Sequence, residues 1–201
     1  MALTGLFLIS FLLVHLLGNL LLLIDDGGES FTAFVHFMES NPLIGIMAIG
    51  LLSTFVIHII QGVDVWIAGR RAKGVANAVK SDKNAGIFSK YMFWLGIVIL
   101  IFLIVHLENF WFKLKIINTV GDDDLYGVVI AAFKNPFIII TYELGAIALF
   151  MHLRHGFQSA FQTLGLSHGK WTPLIKTVGI IYSVLIPLGF FIIPLYVYFF
   201  K

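Results

Sequence analysis

The sequence predicts an all-α integral membrane protein with five transmembrane helices, and three observations lead to that fold class. Hydrophobic residues make up 59% of the 201 and charged residues only 12%, against about 25% charged in a soluble domain. Mean hydropathy is +0.97. The apolar residues also gather into five runs, each near the roughly 20 residues that an α-helix needs to cross hydrocarbon. Their bounds are about 2–24, 43–68, 91–112, 136–161 and 174–200, and residues 1–201 read as a single membrane domain without internal repeats. Cysteine is absent, which excludes disulfides, thiolate metal sites and iron–sulfur clusters bound by this chain. Nothing in the charge pattern calls for a nucleic-acid partner.

The first run lacks the basic lead and small-residue cleavage site of a signal peptide, so it reads as a retained helix. It carries His15 and ends at the acidic turn Asp25-Asp26-Gly27-Gly28-Glu29. Phe31 to Ser40 has apolar residues at helical spacing and suits a short interfacial helix, with Ser30 as its expected N-cap and His36 and Glu39 along it. The second run holds His58, with Gly62 one turn on and on the same helix face. Residues 69–90 then form a basic loop, with Arg70, Arg71, Lys73, Lys80, Lys83 and Lys90 against a single acid, Asp82.

The third run contains His106 and Glu108, and the stretch 113–135 reads as a connecting loop with the acidic Asp122-Asp123-Asp124. Pro136 suits the first turn of the fourth run, which carries Glu143, His152, Arg154, His155 and Gly156. The fifth has Pro187 and Pro194 but no histidine. Because Lys and Arg favour the cytoplasmic side in short loops, the basic loop is expected inside, and so is the N-terminus.

Depth sorts the histidines. With about 1.5 Å of rise per residue, His15, ten residues before Asp25, and His106, sixteen past Lys90, both fall in the outer half. His58, twelve residues before Arg70, and His152, sixteen past Pro136, fall in the inner half. The inner pair shares a spacing, since Gly156 follows His152 as Gly62 follows His58.

A buried imidazole in hydrocarbon needs a partner for its ring nitrogens. Paired histidines on facing helices of a four-helix bundle, flanked by small residues, suit bis-imidazole coordination of haem, and two pairs imply two haems. A histidine-lined metal or proton transporter without haem is the rival reading. Transport sites usually include carboxylates, and none of the four runs places an acid three or four residues after its deep histidine. His155, a turn from His152, competes with it as a ligand on spacing alone.

The segments FLLVHLLGN (11–19), AFVHFMESNPL (33–43), VIHIIQGVDVWIA (56–68), LIVHLENF (103–110) and MHLRHGFQSAFQTLG (151–165), in this order and spacing, resemble the single-chain, five-helix cytochrome b subunit of succinate:menaquinone oxidoreductases and quinol:fumarate reductases. The resemblance implies a di-haem membrane anchor in a bacterial cytoplasmic membrane. Its first four helices would form the haem-binding bundle, with His58 and His152 on the inner haem b and His15 and His106 on the outer. It favours His152 over His155, makes Gly62 and Gly156 haem-facing, and puts Glu39 beside a quinone as proton acceptor, with His36 near the outer haem or the quinone. The implied partners are a flavoprotein subunit, an iron–sulfur subunit, menaquinone and the lipid bilayer, and a dimer of complexes is compatible with it. Arg154 is expected to pair with a haem propionate or with Asp64, or to snorkel to the inner interface.

Overall fold

A computed structural model describes residues 1–72, 87–117, 125–166 and 168–201. Most of the basic loop and the triple aspartate lie outside the described residues. Helix α1 (Ala2–Asn19) tightens into a 3-10 turn at Leu20–Leu23 and is followed by α2 (Glu29–Ser40), α3 (Pro42–Ala72) and α4 (Ile87–His106). Helix α4 passes into π geometry over Leu107–Ile117, and α5 (Leu125–Phe133), α6 (Pro136–Thr163) and α7 (Thr172–Phe200) complete the chain. No strand occurs among the described residues.

Five segments are long and apolar enough to cross a membrane: Ala2–Leu23, Pro42–Arg71, Lys90–Lys113, Pro136–Thr163 and Thr172–Phe200. The 30 residues of Pro42–Arg71 extend about 45 Å, more than hydrocarbon thickness requires. Asn135 starts α6 by accepting from the Phe137 N–H at 3.0 Å, with Pro136 in the first turn as its residue type requires.

Four helices close into a ring. Helix α1 packs against α3 and α6, and α4 packs against the same two. Neither diagonal, α1 with α4 or α3 with α6, is close-packed. Helix α7 lies outside the ring against α6 and α1, where the Tyr182 hydroxyl donates to the Ile9 carbonyl. Glycines permit this approach: a Cβ at Gly189 would stand 2.7 Å from Leu16 Cδ1, and one at Gly179 would stand 2.7 Å from Phe157 Cδ1. On the weakest side of the ring, Trp66 of α3 stacks on Phe93 of α4 with centroids 4.2 Å apart, and Arg70 caps Trp66 at 4.7 Å.

The buried core sits at one end of the bundle, where Leu16, Leu22, Phe31, Phe133, Tyr142 and Val197 meet. Helix α5 contributes Val129 and Phe133 to it, so part of the expected 113–135 loop is a packed helix. Nine residues are too few to span a bilayer, and burial of one apolar face against α6 and α7 stabilises them instead.

The start of α2 also differs from expectation. Gly28, at φ 90°, is the N-cap, and Ser30 lies within the first turn. Asp26 takes the capping role from outside the helix, accepting from Gly28 N and Ser30 N at 2.9 Å each. Ser30, through its hydroxyl and then its backbone N–H, holds the Asp26 carboxyl below its ordinary value. The stability from this turn is therefore present above the ordinary carboxylate pKa of about 3.9 and is lost as pH falls through the lowered value. At the far terminus, Lys201 Nζ binds Asp25 Oδ1 at 2.8 Å and the Ile24 carbonyl at 3.1 Å, tying α7 to the same turn.

Two outcomes check this architecture. A Cβ at Gly145 would meet Phe102 Cγ at 2.6 Å and Cβ at 3.0 Å, at the root of a ring that cannot swing aside. Gly145→Ala is expected to lower thermal stability, since overpacking of about 1–3 kcal/mol exceeds a helix-propensity gain of about 1 kcal/mol. Gly45→Ala, with nothing within 4 Å, is not. Asp26→Ala is expected to speed amide exchange at Gly28 and Ser30 at neutral pH, where the unmodified turn loosens only in acid.

Candidate functional site

Each side of the ring contributes one deep histidine, and the four side chains meet in two pairs across the diagonals. His15 of α1 and His106 of α4 have ring centroids 5.7 Å apart, with planes at 86°. His58 of α3 and His152 of α6 stand 6.4 Å apart at 62°. The helices that carry each pair are not close-packed neighbours, so each pair bridges an opening rather than a packed seam.

Helical spacing builds the walls of the first pair. Phe11, four residues before His15, stacks on it at 5.1 Å, and Phe190 of α7 covers it at 5.7 Å. Phe102, His106 and Phe110 recur every four residues on one face of α4, with neighbouring centroids 5.6 and 5.3 Å apart. Tyr142 closes this wall, 3.1 Å from His106 Nδ1 through its hydroxyl, and Phe133 of α5 packs on Tyr142 at 5.1 Å. The backbone leaves α geometry directly after His106, a departure often found at functional sites.

The second pair is lined by small residues. Gly5, Gly62, Gly96 and Gly156 place one glycine on each helix of the ring. A Cβ at Gly5 would stand 3.6 Å from His58 Cε1, and one at Gly96 would stand 4.0 Å from His152 Cε1. At Gly156 the nearest atoms, His152 Cδ2 and Met92 Cε, would be 4.0 Å away, and at Gly62 only Met1 Cε approaches, at 3.4 Å. These are ordinary van der Waals distances, so the protein's own atoms do not demand glycine here, in contrast to Gly145, Gly179 and Gly189. Gly5, Gly96 and Gly156 thus stand beside the imidazoles without being required there by packing among the described residues. His58 Nδ1 has Thr4 Oγ1 at 3.1 Å, whereas His152 Nδ1 is buried without a hydrogen-bond partner.

Not every expected site residue joins these pairs. His36 and Glu39 lie on the exposed side of α2, and Asp64 is exposed on α3. Glu108 pairs with Lys113 at 3.2 Å. Arg154 is half-buried and makes no ion pair with Asp64 among the described residues. The ring that faces His58 is that of His152. Glu143 keeps both carboxyl oxygens shielded from solvent and without a hydrogen-bond partner in the structure.

Gly5, Gly96, Thr4 and Tyr142 escape a reading that follows histidines alone. A signal for the glycines was present: Gly5 precedes His15, and Gly96 precedes His106, by the same ten residues. On two parallel helices that spacing puts both glycines about 15 Å from the first pair, level with the second.

Compared with family models, curated proteins and solved structures, the chain shows no significant match.

The pairing itself is open to test. Cysteines replacing His58 and His152, or His15 and His106, are expected to be bridged by a short bifunctional thiol reagent in membranes. The exchanged combinations, His58 with His106 and His15 with His152, are not.

Proposed function

We propose that this chain is the di-haem cytochrome b membrane anchor of a succinate:quinone oxidoreductase or quinol:fumarate reductase. It would link a cytoplasmic iron–sulfur subunit, itself served by a flavoprotein subunit, to menaquinone in a bacterial cytoplasmic membrane, with the N-terminus inside. The observation that carries this reading is the pair of histidine pairs, each spanning an open diagonal of a four-helix ring at its own level. Two imidazoles on opposite sides of one metal ion, with bonds of about 2 Å, have ring centres roughly 6 Å apart. The observed separations are 5.7 and 6.4 Å.

The donor set supports a macrocycle over a bare ion. Among the described residues no group of three or more His, Cys, Asp or Glu converges, and two imidazoles are too few for a zinc site of three or four protein ligands. They suffice where a porphyrin supplies the other donors. The unpartnered His152 Nδ1 and the glycine-lined space beside it belong to the same fit.

In this reading His58 and His152 would hold one haem b and His15 and His106 the other. Haem iron, when bound, supplies one-electron exchange. The chain's residues do the rest. Phe11, Phe102, Phe110 and Phe190 exclude water from the outer pair, and low polarity around imidazole ligands tunes potential. Glu39 is the candidate for taking the proton released at a quinol hydroxyl, since its carboxylate lies on the exposed face of α2 within reach of the interface. His36, on that face too, is a candidate for the surroundings of the same headgroup. Arg154 is a candidate partner for a propionate.

A reduced-minus-oxidised spectrum with pyridine-haemochromogen quantitation tests the reading. Two b-type haems per chain and copurifying flavin and iron–sulfur subunits are expected. Replacing His58 or His152 by Ala should remove one spectral component, and replacing His15 or His106 should remove the other. Gly96→Leu should deplete the His58 and His152 component at unchanged folded yield. A folded, colourless chain that moves metal ions or protons without partner subunits would favour the transporter reading instead.

A further inference from the structure

A neutral imidazole has one N–H and one lone pair, and the neighbour of one ring nitrogen decides which nitrogen keeps the lone pair. For His58 that neighbour is Thr4 Oγ1, 3.1 Å from Nδ1. The Thr4 hydroxyl has a single proton, and two oxygens stand ready to accept it, the Met1 carbonyl at 2.9 Å and Gln61 Oε1 at 3.1 Å. With its proton directed to either, Oγ1 presents lone pairs to His58. Nδ1 must then carry the imidazole hydrogen, and Nε2 is left as the free donor of an electron pair.

The other member of the pair lacks such a hydroxyl, since His152 Nδ1 is buried without a hydrogen-bond partner. The supporting hydroxyl comes from α1, a helix adjacent to α3 in the ring. His106 offers a contrast. Its Nδ1 lies 3.1 Å from the Tyr142 phenol oxygen, but no second hydrogen bond among the described residues draws the phenol proton away, so that contact selects neither tautomer.

We propose that Thr4 is a positioning residue that holds His58 in the Nδ1–H tautomer, so that the pair of His58 and His152 contains one hydrogen-bonded and one unsupported imidazole. Resting on the haem reading above, the consequence is an asymmetry within that ligand pair. An engaged Nδ1–H makes Nε2 a stronger donor to metal, which favours the oxidised iron.

Ring nitrogen-15 shifts of the histidine-labelled chain in bilayers, kept dithionite-reduced, read the tautomers directly. His58 is expected as Nδ1–H. Thr4→Val should disturb His58 alone and Thr4→Ser restore it. Redox titration of the same samples should show Thr4→Val raising the half-reduction potential of the component assigned to His58 and His152 and leaving the other unchanged. An Nε2–H tautomer at His58 in the unmodified chain, or ring shifts indifferent to Thr4→Val, would overturn the assignment. The nitrogen shifts are read whether or not the chain is coloured. A colourless chain with this tautomer therefore sinks the haem reading while the hydroxyl assignment stands.

Discussion

An imidazole placed in hydrocarbon has two polar ring atoms and no water to serve them, and the bundle is arranged around that constraint. Four helices each carry one such ring, and none of the four points at lipid alone. His15 meets His106 and His58 meets His152, both across diagonals that the backbone leaves unpacked. The seams that hold the chain together lie elsewhere. Among the described residues the most extensive helix contact is between α6 and the histidine-free α7, and the buried core lies where α2 and α5 cover one end. Cohesion is thus separated from the space in which the histidines meet.

Glycine serves both parts of that division, for opposite reasons. At Gly145, Gly179 and Gly189 a neighbouring side chain already occupies the place of a Cβ, so the missing methyl brings helices together. At Gly5, Gly62, Gly96 and Gly156 a Cβ would crowd no atom of the described residues, so close packing does not account for the glycine. Helix α3 belongs to the open side. No residue in its most apolar 18-residue window is buried, and Trp66 stacks on Phe93 of α4. A helix of this kind gains stability from whatever fills the ring beside it, which in the proposed function is the haem held by His58 and His152.

The end of the bundle that holds His106 shows how distant segments converge on one imidazole. His106 ends the α-helical part of α4, Tyr142 reaches it from α6, and Phe133 reaches Tyr142 from α5. A change at Phe133 therefore acts on His106 through the tyrosine ring, although α5 touches neither histidine of the pair in any contact described above. A tyrosine hydroxyl and aromatic walls are combined here, whereas the other pair combines the Thr4 hydroxyl with neighbouring glycines.

Five helices long and apolar enough to cross a membrane, and the level of each histidine along its helix, were legible in the sequence, because hydropathy and helical rise are one-dimensional quantities that need no knowledge of neighbours. Depth alone set His15 level with His106 and His58 level with His152, and the folded chain brings those same rings together. Helix α5 was not legible as structure, since nine apolar residues between polar stretches form a helix only where other helices cover one face. Nor was the cap of α2, where Gly28 and Asp26 take the place expected of Ser30 because a left-handed glycine turns the chain two residues earlier. Tertiary structure alone decided that the pairs lie on diagonals, that Gly5 and Gly96 border the rings of His58 and His152, and that Thr4 and Tyr142 face Nδ1. Which helices become neighbours, and in what rotation, depends on side-chain packing summed over the whole bundle, and no periodicity within a single helix records it.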